Sequence, residues 1–175
     1  MRKPFDPKLH EKNDKIARDI AKKAFLSQYN YTLVDNPDIY GPDLMAYQND
    51  EFLGFVEVEI KQYWKDHKHF PSSTLHIPQR KNKFLVYGIT NIPVPIVFCV
   101  LSADLKGIYW IEGENLINCQ TIFKPNKYLD KEYFFDVPLL KMQYFDVEPI
   151  NNERDNNESV KSQSSQQVPT MRESV

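Results

Sequence analysis

Ile16, Ala17, Ile20, Ala21, Ala24 and Phe25 recur at three- and four-residue spacing, the period of one helix face. They predict an amphipathic helix over 13–29, capped by Asn13 or Asp14, with Lys12, Arg18, Asp19, Lys22 and Lys23 mainly on its other faces. Residues 35–43 (Asp-Asn-Pro-Asp-Ile-Tyr-Gly-Pro-Asp) then forbid regular structure through their prolines and glycine. Beyond them the period falls to two. Leu44–Gln48 reads as a short strand, Asn49-Asp50-Glu51 as a turn, and 52–63 as a longer strand antiparallel to the first. In that second strand Phe55, Glu57, Glu59 and Lys61 share one face, while Val56, Val58 and Ile60 share the other.

Residues 65–75 read as a polar loop, and Pro78 suits the first turn of a short helix through Tyr87, ended by Gly88. Ile77, Lys81, Phe84 and Leu85 fall on one side of that helix, which makes Lys81 a basic residue on an inward face. The run 95–101 is almost wholly apolar and predicts a central strand covered on both faces. A tight turn at 104–106 leads into a strand over 107–111, and 116–122, 133–137 and 143–147 supply short edge strands. The order helix, strand, strand, helix, strand predicts an α/β (α+β) domain whose central mixed sheet is flanked by helices.

A single domain accounts for residues 1–150. Residues 151–175 are rich in Asn, Ser, Gln and Glu without one aromatic side chain, and predict a disordered polar C-terminal tail. Net charge is only −2, so the chain is not a generally basic nucleic-acid binder, but the charges are segregated. Residues 1–25 carry eight Lys/Arg against four Asp/Glu, 26–60 carry seven acids and no base, and 61–83 carry six bases against one acid. An acidic block between basic blocks is the distribution that a metal site within a phosphate-binding surface needs. Cys99 and Cys119 lie far apart in apolar surroundings, which predicts buried free thiols in a reducing compartment and argues against zinc. No run of apolar residues is long enough for a membrane span, and the expectation is a cytoplasmic protein without membrane contact.

The candidate chemistry lies where the acidic block meets the basic one. Sixteen residues separate Asp43 from Glu59, and a hairpin between them folds the two carboxylates together. Phosphodiester hydrolysis needs a nucleophile near neutral pH and relief of charge on the phosphoryl oxygens, which a divalent ion on hard oxygen ligands supplies. Lys61 shares the strand face of Glu59 and can orient water and counter transition-state charge. Glu57 and Lys81 are accessory candidates on the same grounds of facing.

Pro42-Asp43 followed by Glu59-Ile60-Lys61 resembles the PD-(D/E)xK nuclease superfamily, the restriction-endonuclease-like proteins, over roughly residues 10–111. The resemblance implies a core in the order α-β-β-(β)-α-β and Mg²⁺- or Mn²⁺-dependent cleavage of DNA. It also implies that Asp43, Glu59 and the Ile60 carbonyl ligate the metal and that Lys61 is the catalytic lysine. The helix carrying Gln79, Arg80, Lys81 and Lys83 would lie beside the site and touch nucleic acid. Two other readings stay open: a non-catalytic nucleic-acid-binding module on the same fold, and a protein-interaction domain with Glu57, Glu59 and Lys61 on an exposed strand face. A protein partner or homodimer fits any of the three. His67 and His69 read as loop residues rather than ligands, and Trp64 and Trp110 as packing residues.

Overall fold

A computed structural model describes residues 7–86, 95–125 and 132–147. The predicted tail, and the helix end at Tyr87 and Gly88, lie outside them. Helix α1 (Pro7–Tyr29) starts earlier than its apolar stripe, so Asn13 and Asp14 sit within the helix rather than capping it. Proline suits such a start, because its missing N–H would be unpaired there anyway. The helix ends through Asn30 at φ 57, where the Leu26 carbonyl accepts the Asn30 N–H.

Strands β1 (Thr32–Asp35), β2 (Leu44–Gln48) and β3 (Glu51–Lys61) form an antiparallel meander. Asn49 and Asp50 both take positive φ, the I′-like geometry that matches the right-handed twist of a tight hairpin. The register shifts between Ala46 and Tyr47, opposite Gly54. Gly54 has φ 147, and a Cβ there would lie 2.3 Å from the Pro95 carbonyl oxygen, so only glycine fits.

Strand β4 (Thr74–Pro78) leads into a 3₁₀ helix, Gln79–Val86. Strand β5 (Ile96–Ser102) then runs parallel to β3, with Glu59 opposite Val100. Strand β6 (Gly107–Glu112), the one-turn helix α2 (Gly113–Leu116), β7 (Gln120–Lys124), β8 (Glu132–Pro138), a 3₁₀ turn (Leu139–Lys141) and β9 (Gln143–Asp146) complete the described chain. A six-stranded mixed sheet has the order β1-β2-β3-β5-β6-β9, and a second sheet has the order β4-β8-β7.

Each face of the large sheet has its own core. On one, Ala17, Ala21 and Phe25 of α1 pack with Val56, Val58, Cys99 and Leu101. On the other, Phe98, Val100 and Ile111 pack with Leu75, Ile77, Phe84, Phe135 and Val137. Burying each of the larger apolar side chains contributes roughly 1.5–3 kcal/mol. Cys99 and Cys119 are buried free thiols, and Trp64 is wholly buried against Phe70 and Tyr109.

The fold is mixed α/β, as the pattern predicts, with β2, β3, β5 and β6 close to their expected bounds. Its element order departs from α-β-β-(β)-α-β. Strand β4 is inserted ahead of a 3₁₀ rather than an α-helix, and a three-stranded sheet covers the face where a second helix was expected. The cause is local: Thr-Leu-His-Ile alternates polar and apolar residues, and Pro78 closes that strand instead of opening a helix. An edge strand tolerates the proline. Among the described residues, no helix is long and apolar enough to cross a membrane.

Candidate active site

The last pairing of β2 with β3 joins Leu44 to Val56, so β3 continues from Glu57 to Lys61 beyond the end of its neighbour. Asp43, one residue ahead of β2, turns its carboxylate into this gap. Its Oδ2 accepts the Val58 N–H at 2.8 Å and takes the place of the missing ladder partner. The turn before it is locked in three places. Asn36 donates from Nδ2 to the Pro42 carbonyl at 2.9 Å and from its main chain to the Asp43 carbonyl at 3.0 Å, and Gly41 donates to the Asp38 carbonyl. Arg18 of α1 brings Nη1 to 4.0 Å from the other Asp43 oxygen.

The strand alternation holds. Val56 and Val58 are buried on the α1 side with Ile60 packed beside them, while Phe55 packs on the opposite core. Glu57, Glu59 and Lys61 thus emerge on the side away from α1. The Lys61 ammonium lies 2.6 Å from Glu59 Oε1, and Lys61 is only 7 % exposed. Lys81 Nζ lies 3.2 Å from Glu59 Oε2 and 3.2 Å from Glu57 Oε1, bridging the two carboxylates. Lys81 reaches inward because residues three apart line up along a 3₁₀ helix. Lys81 and Phe84 form the inner ridge of Gln79–Val86, and Arg80 and Lys83 form an exposed one.

Burial and charge sort these groups. Burial pushes Glu57 up to about 7, and the adjacent Asp43 charge adds to the rise against the pull of Lys81. Burial also raises Asp43, opposed by the Val58 hydrogen bond and by the Lys81 and Arg18 charges. Glu59 is driven the other way, because the Lys81 and Lys61 ammoniums outweigh its desolvation and hold it at about 2. Lys81 is raised above the ordinary lysine range because Glu59 and Glu57 outweigh its burial. Lys61 is lowered, since burial prevails over its contact with Glu59. The Lys61–Glu59 pair is therefore lopsided: Glu59 has two cationic partners, whereas Lys61 has one carboxylate against a nearly complete loss of solvent.

Asp43, Glu57, Glu59, Lys61 and Lys81, all named by the sequence pattern, thus form one charged group. Within it the charge of Asp43 acts on Glu57, whereas the spacing paired Asp43 with Glu59. Ile60, between Glu59 and Lys61 on β3, lies opposite Leu101 in the parallel ladder. Of the expected nucleic-acid contacts, Gln79 is half-buried, Arg80 pairs with the buried Glu132, and Lys83 lies 4.7 Å over the Phe84 ring. Two neighbours of the group carry no sequence signal. Arg18 approaches from α1, and the Tyr63 hydroxyl is pushed up to about 12 by burial and by the Glu59 charge.

Three carboxylates and a main-chain carbonyl are hard oxygen donors of the kind that Mg²⁺ and Mn²⁺ prefer. A second set of donors, Asp66, His67 and Asp104, lies outside this group. Asp104 accepts the His67 Nδ1 contact at 2.8 Å and main-chain N–H groups of His67 and Lys106, which pins the loop after β3 to the β5–β6 turn. A cavity of about 880 Å³ flanks the first half of β3, lined by Tyr29, Tyr31, Phe55, Ile96 and Trp110 among others, and takes in none of the charged group. No protein-family model matches this chain, and no curated protein matches it significantly.

Proposed function

We propose that this chain is a Mg²⁺- or Mn²⁺-dependent nuclease acting on DNA, with a PD-(D/E)xK-type, restriction-endonuclease-like centre. One observation carries the reading: Asp43, Glu57, Glu59 and Lys61 converge where β3 outruns β2, an arrangement that isolated surface ion pairs would not need. The α1–β1–β2–β3 succession, with β5 parallel to β3, supports it further.

Asp43, Glu59 and the Ile60 carbonyl would hold the ion. When bound, a divalent ion lowers the pKa of water and relieves charge on the phosphoryl oxygens. Glu57, shifted to about 7, has the affinity for a proton that a general base needs near neutral pH. Lys61, held by Glu59 at 2.6 Å, offers positive charge to the phosphoryl oxygens. Arg80 and Lys83, exposed on one ridge, suit contacts to backbone phosphates that carry no sequence information.

Purified protein is to be incubated with plasmid, linear duplex, single-stranded and branched DNA, with Mg²⁺, with Mn²⁺ and with chelator. Metal-dependent cleavage that disappears in Asp43→Ala and Lys61→Ala supports the proposal. It fails if the wild type cuts nothing, or if both variants cut as well as the wild type. DNA binding without cleavage or metal uptake would instead mark a non-catalytic module on the same fold. No DNA binding at any salt concentration would leave the interaction-domain reading.

A further inference from the structure

Both oxygens of Glu59 are already taken by ammonium groups: Oε1 by Lys61 at 2.6 Å and Oε2 by Lys81 at 3.2 Å. Glu57 gives Oε1 to the same Lys81. A carboxylate oxygen has a lone pair for each, but a divalent ion on Glu59 and an ammonium at these distances repel across a few ångströms of half-dry protein. A bound ion therefore weakens the hold of at least one of the two lysines. Lys61 rises from the same strand face as Glu59, is buried, and has the shorter contact. Lys81 has the longer contacts, splits its charge between two carboxylates, and comes from a separate element whose outer ridge is exposed.

We infer that Lys81 is a built-in counter-ion that competes with the divalent ion for Glu59, so that metal uptake requires the Lys81 ammonium to swing out of the Glu57–Glu59 pair. In the metal-free protein it suppresses the repulsion among Asp43, Glu57 and Glu59 that would otherwise favour their protonation. The same contact depresses metal affinity, because every ion bound must displace it. The inference deepens the nuclease proposal and rests on its assignment of Glu59 as a ligand.

Two measurements test it. In calorimetric titration with Mn²⁺ at pH 8, Lys81→Met binds the ion about ten- to a hundredfold more tightly than the wild type, as expected when a competing unit charge a few ångströms away is removed. Equal or weaker binding overturns the inference. The second measurement uses the wild type alone: reductive methylation followed by peptide mass analysis, with and without Mn²⁺. Lys81 reacts slowly without the ion and several-fold faster with it, and a rate indifferent to Mn²⁺ overturns the inference even if Lys81→Met does not fold. The two proposals fail separately. Wild-type protein that cuts DNA while Lys81→Met binds Mn²⁺ no more tightly keeps the nuclease reading and removes the counter-ion. Tighter binding by a protein that cuts nothing does the reverse.

Discussion

Replacing Glu59 with Gln strands Lys61. Lys61 is 7 % exposed, and its salt-bridge partner is Glu59 at 2.6 Å. At an effective dielectric constant near 20, such a pair attracts by roughly 6 kcal/mol, part of which offsets the desolvation of the two groups. Breaking a buried pair from one side typically costs about 3–5 kcal/mol. The Glu59 side chain is 30 % exposed, and Lys81 keeps Glu57 as a partner, so the lower end applies. Glu59→Gln should therefore lose about 3 kcal/mol in urea unfolding, or about 6–12 °C in Tm for a domain of this size. Lys61→Met removes the buried charge while Glu59 retains Lys81, and should cost less than about 1.5 kcal/mol. The double variant should resemble Lys61→Met, giving a coupling energy of about 2–3 kcal/mol. The pH dependence has a definite sign. A lysine lowered on folding binds more protons unfolded, so Glu59→Gln regains stability as pH rises toward the ordinary lysine value near 10.4. A Glu59→Gln variant within about 1 kcal/mol of the wild type, or no rescue by Lys61→Met, refutes the reasoning.

Three further outcomes follow from single residues. Glu57, raised to about 7, should show a carboxyl carbon titration in NMR with a midpoint near neutrality, and a midpoint below 5 contradicts its burial. Because its folded value lies above its unfolded one, its contribution to stability is complete below about 4.3 and lost as pH rises through 7. Glu57→Gln should remove that part of the pH profile. Asp43→Asn keeps an oxygen for the Val58 N–H and should melt within about 1 kcal/mol of the wild type, whereas Asp43→Ala leaves that N–H unpaired and costs about 1–3 kcal/mol. Gly54→Ala drives a methyl group into the Pro95 carbonyl at a backbone angle that alanine resists, and soluble protein of wild-type Tm would contradict the close packing of β3 against the start of β5.

Much of the site was legible because it rests on strand periodicity. Alternation alone places Glu57, Glu59 and Lys61 on one face of β3 and Val56, Val58 and Ile60 on the other, whatever lies around them. The apolar run of β5 is equally readable because both of its faces are covered. Strand β1 is only four residues long, and β4 ends on Pro78, which suits the start of a helix as well as the end of an edge strand. Lys81 was found by its inward position. Its ammonium could not be assigned to the Glu57–Glu59 pair, since that contact joins two separate elements and depends on how the 3₁₀ helix packs on β3. Arg18 beside Asp43 and Asp104 beside His67 depend on tertiary contacts that no spacing encodes.

The central claim, that carboxylates at the free end of β3 support metal-dependent phosphodiester cleavage, is tested most directly by conversion of supercoiled plasmid over a Mg²⁺ titration. Wild type and Asp43→Asn are to be compared at equal concentration, after melting curves show both folded. The account predicts nicked or linear product that rises with Mg²⁺ for the wild type and falls at least about a hundredfold for Asp43→Asn. Cleavage that ignores Mg²⁺, or persists undiminished in folded Asp43→Asn, contradicts it.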